Sequence, residues 1–274
     1  MKQNRLLLSI LLLISMLACA IPGLDAQAPS AANPNMISTI VVSTANAAAS
    51  QTAEAQPFAA ETPADAAVSE EAGTIVELLP DGTTKYDDYD AGFEITFPNG
   101  WLAIRPSSDE FNTALAKADA GNPVLHDQMT TDMAGYDASV DRLYSYVLRP
   151  DIEKNAIFGF SKLAWDSDDT TSLSNATMGG LIRDLESSGD IPGFRADTAQ
   201  LHENGNAVEI IEIGGRFTIS DGQGGTIPLY ATFVFFKPAS NSLARITFTV
   251  LQDYNAQIST DVKSIIESIK VVGL

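Results

Sequence analysis

This 274-residue chain holds one cysteine and two histidines, and it has little positive charge. With Cys19 alone, neither a disulfide scaffold nor a metal site built on cysteine pairs can form. A nucleophilic triad needs a histidine, and only His126 and His202 are available. Lys and Arg number 16 against 35 Asp and Glu, a net charge of −19, and none stands between Arg5 and Lys85. From Lys85 to Leu274, 14 basic residues face 27 acidic ones. Binding to nucleic acid requires clustered Lys and Arg to displace counterions, so that class of partner is disfavoured. The longest apolar run, Leu6–Leu17, has 12 residues, short of the ~20 that a spanning helix requires. Gly-x-Ser-x-Gly, Ser-x-x-Lys, His-Glu-x-x-His and the P-loop are all missing. No cofactor is implied.

What the N-terminus does contain is an address. Lys2 and Arg5 precede the Leu6–Leu17 run, the layout of a signal peptide. Met16-Leu17-Ala18-Cys19 resembles a bacterial lipobox, in which the cysteine is acylated and becomes the new N-terminus. Ala18-Cys19-Ala20 also fits ordinary signal-peptidase cleavage. The position of the sole cysteine, after the apolar run and before a polar stretch, favours lipid attachment at Cys19. Two or three acyl chains would anchor stably, at about 0.8 kcal/mol per buried CH₂. The expectation is an exported chain, held on a membrane by its lipid and facing outward or into a periplasm, and otherwise secreted.

The chain then divides into residues 1–19 as signal peptide with lipobox, 20–74 as tether and 75–274 as one globular domain. Leu24–Thr74 has 16 Ala among 51 residues, and Phe58 is its one aromatic, so it cannot build a core. Met36–Ala55 has a faint helical rhythm, which fits a partly helical stalk. Its role is reach, since a flexible tail holds a domain away from a surface.

In the domain, Phe93–Phe97 alternates apolar and polar residues and stops at Pro98-Asn99-Gly100, a strand and turn. Trp101–Ile104 continues extended. Ser107 with Glu110 reads as a capping box before a short helix carrying Phe111, Ala114, Leu115 and Ala118. Gly121–Val140 is expected to be helical in part. Arg142–Leu148 and Ala156–Trp165 read as strands. Ser172–Ser187 reads as an amphipathic helix with Leu173, Met178, Leu181, Ile182 and Leu185 inward, ended by Gly189 and Pro192. Four runs follow, Arg195–Leu201, Asn206–Phe217, Ile227–Lys237 and Ser242–Leu251. Their short links make them antiparallel neighbours. Thr260–Ser268 closes as a helix. The layout is α+β, an antiparallel sheet of about six to seven strands covered by helices.

Tyr89-Asp90-Ala91-Gly92-Phe93-Glu94-Ile95-Thr96-Phe97-Pro98-Asn99-Gly100-Trp101 resembles the opening of PsbP-like domains, a Gly-Phe-x-Ile-x-Phe-Pro strand closed by a Trp. Asp261–Ile269 resembles that family's final helix before a last short strand. The resemblance spans Asp88 to Val272 in element order, with its residue matches at the two ends. It implies an α/β/α sandwich around an antiparallel sheet. It also implies a non-catalytic binding or assembly module, since members range from extrinsic photosystem II subunits and envelope lipoproteins to a nuclear import factor that binds a small GTPase. No functional residue carries over.

The residues themselves offer two weaker candidates. Asp87, Asp88 and Asp90 precede the Phe93 strand, and Asp166, Asp168 and Asp169 follow the Ala156–Trp165 strand. Each set could offer oxygen ligands to Ca²⁺, although Thr171 and Thr177 stand where an EF-hand loop needs Gly and Glu. Solvated loop acids explain both sets as well. His126 and His202 are expected at the surface. Phe233 and Phe235 should face one side of the sheet and Phe236 the other. The expected function is therefore a non-enzymatic, lipid-anchored protein that binds or helps assemble another, unidentified envelope protein. A small-ligand or calcium-binding domain is the alternative, and a hydrolase with a spatially assembled site is the third reading.

Overall fold

The structure is a computed structural model that describes residues 73–188, 191–220 and 224–272. The signal peptide, Cys19 and the tether up to residue 72 lie outside the described residues, as does Gly189. Four strands come first: β1 (Thr74–Leu78), β2 (Thr84–Asp88), β3 (Phe93–Phe97) and β4 (Trp101–Ile104). Helices α1 (Asp109–Gly121) and α2 (Pro123–Ala134) follow, then β5 (Asp141–Val147), β6 (Gly159–Asp166) and α3 (Asn175–Ser187). An antiparallel run β7 (Arg195–Glu203), β8 (Glu209–Ser220), β9 (Thr226–Phe236) and β10 (Leu243–Leu251) leads through a 3-10 turn to α4 (Asn255–Ser268) and β11 (Lys270–Val271).

Seven strands form one antiparallel sheet in the order β4-β5-β6-β10-β9-β8-β7. This is the sheet expected from the sequence, with helices on both faces. Side chains alternate across it. Phe233 and Phe235 lie in a core with Ile211 and Ile213 under α3, and Phe236 lies in the opposite core with Ile210 and Val234. Toward β4 the α3 face is covered by α1 and α2 instead, which bury Phe111, Leu125 and Met129 against Tyr144 and Tyr146.

The other face carries an unexpected layer. A second sheet, β1-β2-β3-β11, packs Tyr86, Phe93, Ile95 and Phe97 against it beside α4. The sequence reading placed Asp87, Asp88 and Asp90 ahead of the first strand. Asp87 and Asp88 instead belong to β2, hairpinned to β1 with Val76 opposite Tyr86. The strand Thr-Lys-Tyr-Asp-Asp escapes a hydropathy pattern because Asp88 is wholly buried by polar contacts rather than apolar ones. Its carboxylate accepts from the Tyr86 hydroxyl at 2.8 Å and the Ala91 N–H at 2.9 Å. Burial nonetheless raises its pKa.

Helix ends shift for identifiable reasons. The cap of α1 is Ser108, whose Oγ accepts from Phe111 N at 3.1 Å. Ser107 sits at φ 64° and cannot serve, and Glu110 is taken by Arg105 at 2.6 Å. Asn122 both ends α1, by its N–H to Ala118 O, and starts α2, by accepting from Leu125 N at 3.1 Å ahead of Pro123. Ser174 caps α3, whose first residue, Asn175, lies three residues inside the expected Ser172–Ser187 helix. Helix α4 starts five residues before the expected Thr260, because Ile258 is fully buried and extends the apolar stripe backward.

Under α2, Gln128 donates to Asp132 at 2.9 Å, and Lys162 meets Asp141 at 2.6 Å. Burial pushes the Asp132 carboxyl up to about 6. A carboxyl with a raised folded-state pKa holds its proton in the native protein after the unfolded chain has released it. Its contribution to stability is therefore full below about 4 and is lost as pH rises through about 6. Asp132→Asn should remove this component. Unfolding midpoints measured from pH 4 to 7 should fall less steeply in the variant than in the parent, and parallel curves would refute the assignment.

Candidate binding groove

Where the second sheet stops short, the face beside α4 opens into a groove of about 720 Å³. Its floor is apolar, from Phe248 and Val250 on β10 and Val262 and Ile266 on α4. Its walls are polar, from Gln200, His202, Glu212 and Thr232 on the sheet and Ser259, Lys263 and Glu267 on the helix. Alternation creates this contrast: Gln200 and His202 are i and i+2 on β7, so they share a face, and the register sets Gln200 opposite Glu212. Gln200 Nε2 donates to Glu212 Oε2 at 2.9 Å. His202 Nε2 lies 3.4 Å from the same oxygen. Gly214 on β8 leaves room for Tyr230 to cross the strand, since a Cβ there would collide with Tyr230 Oη and Thr198 Oγ1.

At the groove's end, Asn204 joins the β7–β8 turn to α4. Its Nδ2 donates to Ile266 O at 3.0 Å and Ile269 O at 2.8 Å, while its Oδ1 accepts from Asn206 N and Val208 N. Glu267 answers by accepting from Gly205 N at 2.9 Å. The two elements that line the groove are therefore fixed to each other.

Chemically, the groove presents a histidine–carboxylate pair beside the hydroxyl side chains of Thr232 and Ser259. Among the described residues none hydrogen-bonds His202 Nε2 in good geometry, although Glu212 lies close to it. His202, expected at the surface, is the penultimate residue of β7 and lies half-buried in the groove. His126 lies half-buried on α2, with Nδ1 3.5 Å from Asp127 and Nε2 4.0 Å from Asp119.

The acidic sets are not assembled as cation sites. Asp87 is paired with Lys85 at 2.9 Å, Asp88 faces the interior, and Asp90 is exposed. Asp166 accepts from Asp168 N at 2.9 Å and Asp169 from Thr171 N at 2.7 Å, so both stabilise their own loop. Among the described residues, no three His, Cys, Asp or Glu side chains are grouped to hold a metal ion. None of the described helices is long and apolar enough to cross a membrane.

Comparison with known proteins adds little to the geometry. No family model matches the chain and no curated protein matches it. Among solved structures it is similar to the cyanobacterial PsbP (CyanoP) of Synechocystis sp. PCC 6803, with 12% identity over 70% of this chain and 93% of that one and a TM-score of 0.42. It is also similar to LpqN, described as involved in cell envelope biogenesis of Mycobacterium tuberculosis. There the identity is 12% over 66% of this chain and 83% of that one, with a TM-score of 0.39.

Proposed function

We propose that the chain is an exported, non-catalytic envelope protein, anchored through a lipid on Cys19, whose domain binds or helps assemble another envelope protein. The observation that carries the binding role is the groove beside α4. It is a half-polar recess held rigid by Asn204 and open along β7, which is most exposed of the seven-stranded sheet's strands. The leader around Lys2–Cys19 and the alanine-rich tether supply delivery and reach. The groove's volume also suits a small organic ligand, which keeps the carrier reading as the second choice.

Two measurements test the proposal. Cys19→Ser should move the protein from the membrane pellet to the soluble fraction of its own cells, and continued pelleting after a high-salt wash would remove the lipid anchor. Cross-linking the full chain in its native membranes should recover one stoichiometric protein, with cross-linked peptides from β7 or α4. A groove that instead protects the chain thermally with a small organic compound, and no recovered protein, would favour the carrier.

A further inference from the structure

The outer edge of the seven-stranded sheet is guarded over only half its length. Strand β7 pairs with β8 alone, and six of its nine residues are exposed. At its start, a register shift between Ala196 and Thr198 bends the strand, and Glu186 of α3 accepts from the outward Ala196 N–H at 3.1 Å. Bulges and capped amides are the usual defences of a free edge. Beyond Thr198 neither is present among the described residues.

The direction of the remaining backbone groups follows from the turn. Asn204 N donates to Val208 O at 3.1 Å, so that pair faces inward. Antiparallel alternation then turns Gln200 and His202 toward β8, and it turns the N–H and C=O groups of Ala199, Leu201 and Glu203 outward. The far side of the sheet keeps the same phase, since Leu251 N donates to Phe158 O at 2.9 Å. Three donors and three acceptors therefore lie in a row along five residues, the template for an added strand.

Charge names the occupant. Glu203 stands directly opposite Glu209 in the ladder, and like charges in that position repel. Neither takes part in an ion pair among the described residues, and the nearby Lys237 is committed to the carbonyls of Asp169 and Thr171. On the groove side Glu212 and Glu267 outnumber the one basic lining residue, Lys263. We infer that Ala199–Glu203 receives an extended, basic segment of a partner protein as an eighth strand. A lysine or arginine of that segment sits beside Glu203 and Glu209, and alternate side chains drop over Gln200 and His202 into the groove. The inference rests on the protein-binding reading above and adds to it the edge and the chemistry of the partner.

The test uses the full chain in detergent and a blocked hexapeptide of alternating lysine and valine. Millimolar peptide should slow amide hydrogen exchange of the Ala199–Glu203 segment at least tenfold. Ala199→Pro, which removes an outward N–H that the fold does not use, should weaken that binding at least tenfold with an unchanged melting temperature. The double variant Glu203→Gln, Glu209→Gln tests the charge without touching the backbone and should also weaken it. Absence of protection, equal protection by an alternating glutamate–valine peptide, or protection that grows with the chain's own concentration would each overturn the inference, the last by making a second copy the occupant. A cross-linked partner whose contacts lie away from β7 would also overturn it, yet would leave the binding role standing.

Discussion

Replacing Phe236 with alanine should destabilise the domain by about 4 kcal/mol, the upper range for a large-to-small change in a core that cannot collapse. Phe236 of β9 is fully buried and meets the fully buried Phe93 of β3 edge-on, with centroids 5.2 Å apart at 89°. This contact joins the two sheets. Phe93→Ala should cost a similar amount, and the double variant should show a coupling of about 1 kcal/mol, as expected of a T-shaped pair. Urea denaturation followed by tryptophan fluorescence reads all three, because Trp101 reports on the same core. A cost below 1 kcal/mol for Phe236→Ala would mean that the small sheet is not docked through these rings.

The second large effect is expected at a polar residue. Asn204→Ala should cost roughly 2–3 kcal/mol, although it deletes only a carboxamide, because it strands two backbone N–H groups and takes one donor from each of two carbonyls. Asn206 N and Val208 N lose their acceptor, while Ile266 O keeps the Ile269 N–H and Ile269 O keeps Asn206 Nδ2, at a site where Asn204 is only 6% exposed. Each buried polar group left unpaired costs about 1–3 kcal/mol, with partial relief where water enters. Asn204→Asp keeps the two accepted bonds and loses the two donated ones, so it should fall between the parent and Asn204→Ala. An alanine variant within 0.5 kcal/mol of the parent would show that the groove's two walls are held by something else.

These two residues also mark what the sequence could and could not say. The strand alternation around Phe233, Phe235 and Phe236 assigned each ring to its face, and the amphipathic rhythm of Leu181, Ile182 and Leu185 found α3. Such signals are local, and burial follows from them directly. Asn204 looked like an ordinary turn residue because nothing near it in the chain announces partners at Ile266 and Ile269. The hairpin β1–β2 was missed for a related reason, since Asp88 is buried by hydrogen bonds that a hydropathy pattern does not see. The groove was legible only as the polar alternation Thr198, Gln200, His202, which an exposed strand would show equally. Its meaning depends on α4 lying across it. By contrast, the opening motif and the closing helix do meet: Trp101 Nε1 donates to Asp261 at 3.2 Å, and Thr96 exchanges two hydrogen bonds with Ser268.

The small sheet is stitched from both ends of the domain, with β11 added to β3 by Lys270 opposite Glu94 and a bond between them spanning 176 residues of chain. That closure sets a timetable for folding. Until β11 arrives, β3 is held on one side only, by β2, and Phe93 by its contacts with Tyr86 and Phe236. Pairing of β11 with β3 is thus a contact between distant parts of the chain, of the kind that forms late and slows folding, whereas the β2–β3 hairpin is local.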